Sequence, residues 1–338
     1  MDSQGYVRIE MESLVRDYDI KVVSWKNPGR GFRSQFPYKQ CATADEMIEF
    51  CQEYKPAVIH THWMLDQLEP IYEVSQKLSI PFTVRIHSFD TLEWQLNGWF
   101  ERLFKRKELL RKDIYRYVEI INDDLCLGAL CFPFSIEKLE KAGIDEKKLI
   151  GCFPVSNFEK FHNRDPNGNR ILNFGATRPK KNFEDFIDLA RLVKSRSFDL
   201  YPLGNERQYY SQVVEYNNKK GSPVNILEAV DPDDMPQLYK KYQWFVYTAD
   251  MDSKSVGWPI AAAEAQAAGC GFCLPEIRSD VRDYLGDSAV IYKSVNDLID
   301  IISKPVPVEM REKGFENAKK SDINSHRHLL TDIWDRVL

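Results

Sequence analysis

Residues 174–183 read FGATRPKKNF. An apolar run ends at Gly175, cationic side chains follow at Arg178 and Lys181, and a new apolar period opens at Phe183. That succession is a strand, a glycine turn and a helix start, the repeating unit of a parallel sheet. It also suits a diphosphate. Arginine grips phosphate oxygens with two N–H groups, lysine adds a mobile point charge, and the end of the following helix presents backbone N–H groups. A solvated basic turn describes the same residues equally well.

The alternation continues on both sides of this turn. Strands are predicted over residues 170–175, 199–203, 224–227, 244–248, 271–274 and 289–292, with closing helices at 309–320 and 324–337. Toward the N-terminus, strands are predicted at 20–25, 57–63, 82–87 and 126–132. Helices are expected at 43–54, with a Thr cap and an acidic first turn, and at 66–78, 91–117 and 135–142. The polar segment 162–169, HNRDPNGN, has the composition of a domain connection. A chain of 338 residues therefore divides into two α/β domains with parallel sheets, 1–160 and 161–310. Residues 311–338 close the chain, the last helix packing back toward the first domain. Residues 5–17, GYVRIEMESLVRD, read as a helix where such a domain normally opens with an apolar strand and a Gly-rich turn, so its first strand is expected to be absent.

Composition narrows the function classes. A net charge of -5 gives no reason to expect a nucleic-acid partner. No apolar run approaches the roughly 18 residues a membrane span needs, and residues 1–16 are too polar for a secretory signal, so a cytoplasmic protein is expected. The seven cysteines are odd in number and lie in apolar stretches, as reduced buried thiols do. Cys270 and Cys273 form a C-x-x-C inside a short core strand, and no second pair completes a zinc site.

Residues 248–269 read TADMDSKSVGWPIAAAEAQAAG: a strand end, a polar loop, a Gly-Trp-Pro turn, then a small-residue helix bearing one acid, Glu264. The alanines make this helix thin enough to let a bulky ligand approach, and Glu264 needs a partner such as a ribose diol unless it lies on the wet face. Together with 174–183, this stretch resembles the C-terminal domain of the retaining GT-B glycosyltransferases of family 4, the group 1 glycosyl transferases. The match lies in the G-x-x-R-x-x-K-N turn and in the E-A-x-A-x-G of Glu264, Ala265, Ala267 and Gly269. Residues 154–161, PVSNFEKF, are similar to that family's interdomain stretch.

The resemblance implies a GT-B fold of two Rossmann-like domains and transfer of a sugar with retention of configuration, without a metal. The donor is a UDP- or GDP-linked sugar acting as co-substrate, and the acceptor a glycan, a lipid-linked molecule or a small molecule. Arg178, Lys181 and His87 would be the catalytic set, His87 touching the donor sugar. Gly175 would lie at the diphosphate, Glu264 at the ribose, and the backbone around Ser255, Val256, Gly257 and Trp258 at the sugar, with the side chains of Lys254 and Ser255 contacting sugar or phosphate. Residues 228–231, Val230 among them, would flank the base, and Gly204 would also bind the donor. The family's first acid in the donor loop is replaced by Val256, which puts donor preference in doubt. A non-catalytic nucleotide-sugar-binding protein of the same shape is the alternative, and a sugar-nucleotide epimerase ranks last.

Three other patterns stand beside this reading. Asp250 and Asp252 form a D-x-D, but Arg178 and Lys181 already offer countercharge to phosphate. His60 and His62 alternate along a strand and share a face, as a metal pair would, with no third ligand at a suggestive spacing. Residues 94–112, WQLNGWFERLFKRKELLRK, mix aromatic and basic side chains, which suits either peripheral contact with an anionic lipid surface or a core-facing helix with a solvated basic face.

Overall fold

The computed structural model describes residues 5–25, 36–62, 67–87, 111–204, 206–251 and 257–338. The chain forms two compact units, one comprising Glu10–Phe153 with His326–Leu338, the other built on Pro154–Ser325.

Helix α1 (Gly5–Leu14), which enters the first unit at Glu10, precedes a two-stranded parallel pair, β1 (Val22–Trp25) and β2 (Tyr38–Cys41). The main sheet is separate: β3 (Ile59–His62), β4 (Phe82–Arg85), β5 (Cys126–Cys131) and β6 (Leu149–Gly151), all parallel and in sequential order. Helix α2 (Ala44–Tyr54) begins where the sequence places it, because the Thr43 hydroxyl accepts the Glu46 amide and two acids occupy the first turn. Helices α3 (Leu68–Leu78) and α4 (Arg111–Asn122) cover the sheet, burying Ile71, Val74, Ile120 and Ile121 against Phe82 and Val84. Helix α5 (Pro133–Ala142) starts two residues before the expected start at 135, with Pro133 in its first turn and Ser135 buried inside. The fixed φ of proline favours that position, where its missing N–H has no role. Most of the predicted 91–117 helix lies outside the described residues.

Residues His328–Trp334 form a helix that returns to this unit. Leu330, Ile333 and Trp334 complete a cluster with Leu14, Leu130 and Cys152, and the Trp334 indole donates to Thr83 Oγ1 at 3.2 Å.

The second unit holds a six-stranded parallel sheet. Its strands are β7 (Arg170–Ala176), β8 (Phe198–Leu203), β9 (Val224–Ile226), β10 (Tyr242–Val246), β11 (Gly271–Pro275) and β12 (Val290–Tyr292), one for each predicted strand. Their spatial order is β12-β11-β10-β7-β8-β9. Helices α6 (Phe183–Leu192), α7 (Arg207–Lys219), α8 (Met235–Lys240), α9 (Ile260–Ala267) and α10 (Val308–Lys319) are the longer helices among the connections and the closing segment. Residues 162–169 belong to this unit and are tied to it: the Asn167 amide donates to the Tyr242 carbonyl at 2.9 Å and the Gly168 N–H to the Lys240 carbonyl at 2.8 Å. All seven cysteines are buried free thiols.

The sheet allows β10 and β11 their spacing because Gly271 lacks a side chain. A Cβ there would sit 2.3 Å from the Trp244 ring and 2.7 Å from Val306 Cγ2, and Trp244 is fully buried. Gly271→Ala is therefore expected to destabilise the second unit by about 1–3 kcal/mol through overpacking. Urea unfolding should show a lower midpoint at unchanged m-value.

Candidate functional site

The strand order fixes where a ligand can enter the second unit. From β7 the chain proceeds outward through β8 and β9, then crosses back to β10 on the other side of β7. Connections leaving the carboxyl ends of β7 and β10 run to opposite faces, and the crevice between them is the ligand position in open α/β sheets.

Lys181 lies at that crevice. The turn Pro179–Lys181 follows β7, and the Lys181 ammonium donates to the Tyr247 hydroxyl just past β10 while lying 4.2 Å from the centre of that ring. Gly175 makes room for it: a Cβ at this position would be 3.2 Å from Lys181 Cε and 3.5 Å from Nζ. The main chain of the turn is anchored as well. Thr248 Oγ1 donates to the Lys181 carbonyl at 2.8 Å and receives the buried Asn173 amide at 2.9 Å, so β7, the turn and the end of β10 are joined through one hydroxyl. Arg178 stands exposed at the start of the turn.

The helix that follows departs from expectation. The Phe183 N–H donates to the Tyr209 hydroxyl at 3.0 Å, and Asn182 and Tyr209 hold the two acids of the first turn, Asp185 and Glu184. One amide of this helix end is thus taken by a protein group, and both acids of its first turn are held by neighbouring side chains.

Glu264 projects from α9 and accepts the Tyr239 hydroxyl at 2.9 Å. Burial raises its pKa to about 7, against the lowering effects of that bond and of Lys160. Tyr239 touches Phe174 of β7 and Phe245 of β10, which places the acid on the aromatic layer of the same sheet. The alanines around it are buried at 6% exposure or less and pack α9 closely on α10 and β11, so their small size serves helix packing.

The other predicted residues of this unit separate by position. Gly204 ends β8 with φ +94°, a conformation that favours glycine, and Val230 lies partly exposed in the loop after β9. Gly257 is partly exposed. The Trp258 indole is buried, stacked 4.9 Å from Tyr284 and donating to Asp280 at 2.7 Å, so only its backbone is available to a ligand. Lys254, Ser255, Val256 and Asp252 lie outside the described residues, as do 94–110. Asp250 donates its backbone N–H to the Lys180 carbonyl at 3.0 Å.

In the first unit, His87 follows β4, is 8% exposed, and lies with its Nε2 3.2 Å from His62 Nδ1. His60 and His62 have an acidic neighbour that no sequence spacing signals. Glu10 of α1 puts its Oε1 3.1 Å from His60 Nε2, while Arg85 holds Oε2 at 2.7 Å. One ligand atom each from Glu10, His60 and His62 lies within 4.8 Å of the others. Burial opposes ionisation of Glu10, but Arg85 and the histidines outweigh it and hold the carboxyl well below its usual range. Burial lowers His62 to about 3, with His60 and Arg85 adding and Glu10 opposing, and it lowers His87 in the same direction. These two imidazoles are neutral near pH 7. Glu10 and Tyr239 carried no signal in the sequence, since each meets its partner across at least 25 positions.

Solved structures share this arrangement of elements. Sucrose-phosphate synthase from Thermosynechococcus elongatus superposes with a TM-score of 0.70 over 98% of this chain and 92% of its own, at 12% identity. A glycosyltransferase from Rickettsia africae gives 0.68 over 99% and 94%, also at 12% identity. Anabaena HepE in complex with UDP and glucose gives 0.66 over 87% and 81%, at 13% identity. The chain has the GT-B fold. No family model and no curated protein matches it. Within the GT-B frame, the crevice at β7 and β10 belongs to the C-terminal Rossmann-like half.

The raised pKa of Glu264 has a direct consequence for stability. The folded chain keeps this proton over a range where the unfolded chain, with a value near 4.5, has lost it. Stability from this group is thus fully present below pH 4.5 and declines as pH rises toward about 7. Glu264→Gln should abolish that decline, a difference on the order of 2 kcal/mol between about pH 5 and about pH 8. Urea midpoints at the two values test it, and an unchanged pH slope in the variant contradicts the assignment.

Proposed function

We propose that this chain is a glycosyltransferase using a nucleotide-sugar donor whose diphosphate is neutralised by Arg178 and Lys181. The observation that carries this reading is the place of Lys181, whose ammonium rests on the uncharged Tyr247 ring and hydroxyl at the carboxyl-end crevice of β7 and β10. Both contacts are with an uncharged group, which leaves the positive charge of Lys181 uncancelled by them. The GT-B neighbour HepE, solved with UDP and with UDP-glucose, supports a uridine-linked donor as the first to try.

In the reaction the bond from the anomeric carbon to the terminal phosphate oxygen breaks, and the acceptor hydroxyl forms the new glycosidic bond. The hydroxyl proton passes to the departing phosphate oxygen, so no protein base is required. Configuration at the anomeric carbon is retained. Negative charge grows on the diphosphate as the bond breaks, and fixed cations act chiefly on that developing charge. Glu264, beside Tyr239, supplies oxygens for the ribose hydroxyls. Gly175 keeps the crevice floor free of a side chain.

Lys181→Ala is expected to lower turnover by several hundred-fold, since one such contact is worth about 3–4 kcal/mol in a dry site. Nucleotide release from UDP- and GDP-sugars, with circular dichroism as the folding control, provides the measurement. Near wild-type turnover in the variant removes Lys181 from the chemistry, and release from no donor favours the pure binding module.

A further inference from the structure

The geometry points to a second site: we propose that Glu10, His60 and His62 bind one divalent transition-metal ion of the zinc class inside the first unit. Two imidazoles and one carboxylate form a nitrogen and oxygen donor set that zinc accepts, with three protein ligands leaving a position open. Their ligand atoms already lie within 4.8 Å of one another. His60 and His62 project from one face of β3, and Glu10 is 3% exposed on a helical turn of α1, so the donors stand on regular elements.

The surroundings are those of a supported ligand set. His60 Nδ1 lies 2.8 Å from Thr83 Oγ1, whose hydroxyl also receives the Trp334 indole at 3.2 Å. Holding Nδ1 in this way presents Nε2 to Glu10, the usual means of fixing a ligating tautomer. Arg85 steadies the other oxygen of Glu10 at 2.7 Å. Glu10 Oε1 and Oε2, His60 Nε2 and Arg85 Nε are all buried and meet one another as close ion pairs rather than as well-aligned hydrogen bonds. A buried polar group without a well-aligned hydrogen bond calls for an explanation, and an ion between the groups is one. A cation bonded to Oε1, to His60 Nε2 and to a ring nitrogen of His62 supplies one.

Arg85 also sets the character of the site. Its positive charge shares Glu10 with the ion, so binding is weaker than in an all-thiolate structural centre. The donors favour zinc or cobalt over magnesium, which prefers oxygen ligands alone. The proposal does not depend on the donor-sugar reading, and its test involves no turnover.

The experiment is zinc titration of the intact protein after chelator treatment, followed by equilibrium dialysis and thermal unfolding with zinc or magnesium. One tightly held zinc equivalent and a melting temperature raised by zinc but not by magnesium are expected. Glu10→Gln should weaken binding at least about 100-fold, and Thr83→Val, which touches no ion, about 10-fold. His162→Ala and His328→Ala should bind as the wild type does. Equal zinc binding in Glu10→Gln and the wild type, or no retained equivalent in the wild type, overturns the proposal. If Glu10→Gln fails to fold, the Thr83→Val affinity and the wild-type stoichiometry decide the matter alone.

Discussion

The reversal of strand order between β7 and β10 is the constraint on which the second unit depends. Right-handed crossovers allow a parallel sheet to grow in one direction only until the chain returns to its first strand. At that return, two adjacent strands send their connections to opposite faces, which opens a crevice at their carboxyl ends. Asn173, Thr248 and the Lys181 carbonyl bind the two strand ends together through one hydroxyl, so the gap has a rigid floor. Gly175 and Tyr247 then determine what stands on that floor: a lysine lying across a bare strand end and resting on an aromatic ring.

Two carboxylates illustrate how environment decides protonation. Glu10 and Glu264 are both removed from water, which alone would raise both. Beside Glu10 stands the Arg85 guanidinium, and the acid stays ionised. Beside Glu264 stands the Tyr239 phenol, burial outweighs its hydrogen bond and the charge of Lys160, and the pKa climbs to about 7. The same residue type is thus a fixed negative charge in one unit and a titrating group in the other.

The sequence carried the second unit's sheet clearly, because each buried parallel strand is a short β-branched or aromatic run bounded by polar turns. It carried the basic turn at Arg178 and Lys181 for the same local reason. Its failures lie where meaning depends on what packs from afar. The alanines of α9 look alike whether a ligand or a neighbouring helix approaches them, and only the contact with α10 and β11 decides. The amides at the start of α6 look free until Tyr209, in the next helix, takes one of them. His60 and His62 look like an incomplete pair until a glutamate from fifty positions earlier arrives beside them.

The first unit draws part of its core from residues that follow the second unit in the chain. Leu330, Ile333 and Trp334 close the cluster around Leu14, Leu130 and Cys152, and Trp334 bonds Thr83 in the middle of the sheet. During synthesis the ribosome must therefore deliver the whole intervening half before the earlier half can finish its interior. The first unit thus cannot close this part of its interior in the usual order, first made and first folded.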